Sequence, residues 1–118
     1  MPDLKLSEII AMQHELQDKY KDHWKPLDPE NGIPTMLWIF EELGELITIM
    51  KKRGNDAIVN DEKVRAAFND ELSDVLMNFA QLAISYGVSA DELSCAFLAK
   101  HERNMQRDFV GEYENYLS

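Results

Sequence analysis

Two short acidic patterns are the residues of this chain best suited to chemistry. The first is Glu41-Glu42-Leu-Gly-Glu45, and the second is Glu71-Leu-Ser-Asp74. Each contains a carboxylate, two intervening residues and a second carboxylate. On an α-helix, residues three apart are neighbours on one face. Each pattern therefore presents two carboxylates side by side from one rigid rod. If two such rods pack antiparallel, four carboxylates converge. That cluster repels itself unless a cation offsets it. A hard divalent ion is the natural counter-charge, and Mg²⁺ takes oxygen ligands and shares its shell with phosphates. Glu42, Glu45, Glu71 and Asp74 are the expected metal ligands, with Mn²⁺ as a substitute ion. Histidine is missing from both patterns. Di-iron helical proteins use Glu-x-x-His pairs, and none of His14, His23 or His101 lies three residues after a glutamate.

Four helical segments position these residues, and no strand pattern competes with them. The first spans about residues 4 to 23, with Leu6, Ile9, Ile10, Gln13, Leu16 and Tyr20 at helical spacing. A loop over 25–34 follows, since three prolines and a glycine cannot continue a helix interior. The second helix spans about 35 to 54, with a stripe of Met36, Ile39, Phe40, Leu43, Leu46, Ile47 and Met50. A polar loop leads to the third, about 61 to 86, with Val64, Phe68, Leu72, Val75, Leu76, Phe79, Leu82, Ala83 and Tyr86. The fourth opens at Ser89-Ala-Asp-Glu92, a capping box, and runs to about Arg107. The tail over 109–118 reads as less regular. Short links between amphipathic helices favour antiparallel packing. The expected fold is all-α, an antiparallel bundle of four main helices completed by oligomerisation. The 118 residues form one domain.

The bulk properties narrow the partners. A formal charge of −10 argues against nucleic acid or an anionic membrane as partner. No apolar run approaches the roughly 20 residues of a membrane helix, and the N-terminus lacks a signal-peptide pattern, so a cytoplasmic location is expected. The single cysteine, Cys95, sits among Leu93, Ala96 and Phe97 and reads as a buried core thiol. Trp38 reads as core or interface.

The two acidic patterns, in this order on consecutive helices, resemble the MazG-like branch of the all-α nucleoside triphosphate pyrophosphatase superfamily. The resemblance spans roughly residues 8 to 107. Lys100-His-Glu-Arg-Asn104-Met-Gln-Arg107 is similar to a further family element, Lys-x-x-x-Asn-x-x-Arg. Asp108-Phe109 departs from the family pattern, and the loop between the acidic motifs is longer. The resemblance implies Mg²⁺-dependent hydrolysis of a (deoxy)nucleoside triphosphate to the monophosphate and pyrophosphate, a reaction suited to house-cleaning of nucleotide pools. It further implies that Glu41 serves as catalytic base or an extra ligand, that Lys100, Asn104, Arg107 and Trp24 contact substrate, and that the protein is a homodimer or homotetramer. The alternative is a noncatalytic acidic helical module that binds a protein partner.

Overall fold

The structure, a computed structural model, describes residues 2–118, whose regular secondary structure is entirely helical, with no strand. Six helices follow one another: α1 (Leu6–Lys19), α2 (Gly32–Arg53), α3 (Asn55–Asn60), α4 (Glu62–Ser85), α5 (Ala90–Gln106) and α6 (Phe109–Leu117). A single 3₁₀ turn, Pro29–Asn31, leads into α2.

The helix starts follow from local chemistry. Asp61 caps α4, its carboxylate accepting hydrogen bonds from the amides of Lys63 and Val64 at 3.0 and 3.2 Å. Ser89 caps α5 by accepting from the Glu92 amide at 3.1 Å. Asp108 caps α6 by accepting from the Gly111 amide at 2.8 Å. Replacing Asp61 with alanine is expected to destabilise the protein by about 1 kcal/mol, because two first-turn amides lose their acceptor. A urea titration with unchanged m-value checks this.

Four expectations about the elements change, the first being that α1 ends at Lys19 and residues 20–24 form turns and a bend rather than helix. α2 begins at Gly32, earlier than expected, and Pro34 lies in its first turn. A first-turn residue has no intrahelical amide partner to lose, so proline is tolerated there. The loop after α2 contains a helix, α3, entered through Gly54 at φ 82°. The tail forms α6, whose Phe109, Val110, Tyr113, Tyr116 and Leu117 recur at helical spacing.

The α2–α4 pair is the centre of the molecule; α1 packs on α4, α5 on α1, and α3 against both members of the pair. α2 and α4 run antiparallel. Gly32, at the start of α2, lies against the Tyr86 ring, just past the end of α4. The small core contains Ile10, Ile39, Leu46, Ile58, Val75 and Ala80. Much of each apolar stripe stays outside it. Phe40 and Ile47 of α2 and Leu72, Leu76 and Phe79 of α4 are exposed. Cys95 is also exposed, contrary to expectation. α5 has no buried residue, and Cys95 lies away from the side where Leu93, Phe97 and Leu98 line a groove with α1 and α4.

The chain is extended for its length. Its radius of gyration is 17.9 Å, against about 13.5 Å for a compact domain of this size. Among the described residues no helix is long and apolar enough to cross a membrane.

Candidate functional site

The antiparallel register of α2 and α4 decides which carboxylates meet. Glu42 and Glu45 lie midway along α2, and Glu71 and Asp74 lie midway along α4. One carboxylate oxygen from each of Glu42, Glu45 and Glu71 lies within 4.8 Å of the other two. A second group, Asp70, Glu71 and Asp74, meets the same distance. Glu71 belongs to both, so it joins the two helical patterns. Asp70 escaped the sequence reading. Its signal was its position four before Asp74, which places it on the adjoining flank of α4.

The cluster is partly shielded from water. Glu42, Glu71 and Asp74 are half-buried, and Glu45 is exposed. One oxygen of Glu42 and one of Glu71 are closed off from solvent and receive no hydrogen bond from the protein. Carboxylates brought this close cannot all ionise cheaply. Glu71 is pushed up to about 7, first by sharing its proton with Glu45, then with Glu42, then by burial. Glu42 is also raised, first by burial and further by the charges of Glu45 and Asp74, against the lowering effect of its hydrogen bond with Glu71. Closely grouped oxygens with no donor of their own fit a hard divalent cation.

An aromatic cavity adjoins the cluster along the same seam. Its volume is about 550 Å³, and Trp24, Trp38, Asn78 and Gln81 are among its walls. Trp38 lies one turn before Glu42 on α2, and Asn78 one turn after Asp74 on α4. The cavity therefore continues the carboxylate face toward the start of α2. Trp24 is stacked on Tyr20 at 4.7 Å between ring centroids, which fixes its ring. Trp38 is exposed and lines this cavity, so it is not a core residue. Sequence periodicity could not have paired it with Trp24, which lies in a non-helical segment.

The remaining expected residues lie elsewhere. Glu41 is exposed and outside both carboxylate groups. Lys100, Asn104 and Arg107 belong to α5 or its C-cap, and α5 packs on α1 rather than on the acid-bearing pair. Among the described residues Lys100 makes no ion pair. Arg107 is engaged locally, donating to both oxygens of Glu112 at 3.3 and 2.6 Å and lying over the Phe109 ring. Comparison with protein-family models, curated proteins and solved structures finds no match to this chain.

Proposed function

We propose that this protein is a nucleoside triphosphate pyrophosphohydrolase of the MazG-like kind, cleaving between the α and β phosphates to release a monophosphate and pyrophosphate. The observation that carries the reading is the pairing of the carboxylate cluster with an aromatic cavity on one helix seam. A nucleotide has the same two parts, a polyanionic tail that needs a cation and a flat base that needs a stacking surface.

In this reading Glu42, Glu45, Glu71 and Asp74 hold Mg²⁺, with Mn²⁺ as substitute, and Asp70 flanks them. The ion would neutralise phosphate charge and acidify a bound water. Trp24 and Trp38 hold the base, and Asn78 and Gln81 offer hydrogen bonds to its edge. Glu41 is assigned the general base on its place in the motif, and Glu41→Gln tests that assignment. Lys100 and Arg107 are assigned to the phosphates, and Asn104 to a hydrogen bond with substrate. They act in a homodimer or homotetramer, where an antiparallel helical bundle is completed by a second chain. The reading places the enzyme in the cytoplasm, in nucleotide-pool house-cleaning.

The deciding experiment is pyrophosphate release from a panel of canonical and modified triphosphates with Mg²⁺ or Mn²⁺. Folded protein inactive across the panel would reject the proposal. Trp38→Ala is expected to raise KM about tenfold, equivalent to roughly 1.4 kcal/mol of lost stacking, with a smaller effect on kcat. The extent of exposed apolar surface favours one other reading, an acidic interaction module. That module predicts the same melting temperature with and without Mg²⁺.

A further inference from the structure

The outward face of α2 carries none of the clustered carboxylates. α2 carries two apolar faces. Ile39 and Leu46 enter the core at 2 and 7 % exposure. Ile33, Leu37, Phe40 and Ile47 point the other way, at 72, 62, 62 and 51 %. At about 100° per residue these four fall within roughly 80° around the helix, and Gly44 lies in the middle of that span.

A Cβ added at Gly44 would meet no atom within 4 Å. The glycine therefore does nothing for packing within its own chain, although it weakens a helix interior relative to alanine. What a missing side chain does allow is close approach of another backbone. The apolar spacing is also self-complementary. About a point between Leu43 and Gly44, Phe40 mirrors Ile47 and Leu37 mirrors Met50. An antiparallel copy of α2 laid on this face sets Phe40 of each chain against Ile47 of the other. A two-fold interface requires that reciprocity.

The exposed area is large enough for such an interface. The chain exposes 9519 Å², about 2,900 Å² more than the roughly 6,600 Å² expected of a compact monomer of its mass. That excess is shared among α2, the groove of α1, α4 and α5, and α6, and it exceeds several times the roughly 800 Å² each partner contributes to a standard interface.

We propose that a second copy of this chain docks α2 against α2 across a two-fold axis at Gly44. This rests on the oligomeric part of the reading above and not on its chemistry. It also locates the seam beside the acidic motif, because Glu41 lies about 40° around the helix from Leu37.

Light scattering on the full chain after size exclusion tests this. The wild type is expected at two or four times 13.7 kDa. Gly44→Leu and Phe40→Asp are each expected to halve that mass with helix content unchanged by circular dichroism. Phe97→Asp, in the groove between α1, α4 and α5, leaves it unchanged. The thermal midpoint gives an independent sign. Leucine in open space strengthens a lone helix, so Gly44→Leu raises the midpoint of a chain without this seam and lowers it in one that depends on it. A wild type that is monomeric at micromolar concentration overturns the proposal. So does an oligomer that survives Phe40→Asp but is split by Phe97→Asp. A dimer split by Phe40→Asp but inactive on every triphosphate upholds the seam and refutes the pyrophosphohydrolase.

Discussion

Glu71→Gln is expected to cut Mg²⁺-dependent pyrophosphate release by at least about 100-fold, the scale of losing one preorganised charge-stabilising group. The same change is expected to raise the melting temperature of the metal-free protein. Both effects have one cause. Glu71 is the residue shared by the two carboxylate groups. Without a cation it faces like-charged neighbours, and one of its oxygens has no donor. Glutamine removes the charge and supplies an amide that donates to Glu42 or Glu45. The native state is relieved, and the cation loses a ligand. Asp74→Asn should show the same loss of activity with less stabilisation, because Asp74 belongs only to the second group. Steady-state pyrophosphate release and a thermal melt in chelator measure the two effects on one sample. An active variant, or an inactive one that melts lower than wild type, would contradict this account.

The second large effect is a dependence of stability on pH that Mg²⁺ reshapes. Glu71 titrates at about 7 in the folded chain, against an ordinary 4.5. Below the lower value both folded and unfolded chains hold the proton, and the group costs nothing. Between the two values only the unfolded chain releases it, so the folded state binds more protons and stability falls as pH rises. Above about 7 both have released it, and the penalty is complete. Metal-free protein is therefore expected to melt higher at pH 5.5 than at pH 8. A residual penalty on the order of 1 kcal/mol, after solvent screening of a half-exposed cluster, corresponds to roughly 4 °C. Mg²⁺ bound at this cluster would displace the proton, so its binding is expected to strengthen with pH. At a hundredfold excess over its Kd it adds about 2.7 kcal/mol. The stabilisation by Mg²⁺ should thus be larger at pH 8 than at pH 5.5, and Glu71→Gln should flatten the metal-free profile. A midpoint insensitive to Mg²⁺ at every pH would remove the metal site and leave the interaction module standing.

The two acidic pairs were legible in the sequence because helical spacing is local. Once Glu42 and Glu45 stand three apart on a helix, their shared face follows from 3.6 residues per turn. The same holds for Glu71 and Asp74, and for the Ser89 cap. The stripe of α2 shows where local reasoning stops. Ile39, Phe40, Leu46 and Ile47 read as one apolar face, yet Ile39 and Leu46 are buried while Phe40 and Ile47 are exposed. Periodicity gives the angle of each residue around the helix, and cannot say on which side a partner lies. Cys95 failed for the same reason. Its neighbours are apolar, but α5 offers only one side to the rest of the chain.

By itself the sequence determined the four main helices, the two carboxylate pairs and the absence of histidine beside them, all set by spacing within a few residues. Tertiary structure alone decided the register of α2 against α4. That register lies between residues some thirty apart in the chain, beyond the reach of any local pattern. It brought Glu71 onto Glu42 and Glu45, and set Asn78 and Gln81 of α4 beside Trp38 at the end of the same seam.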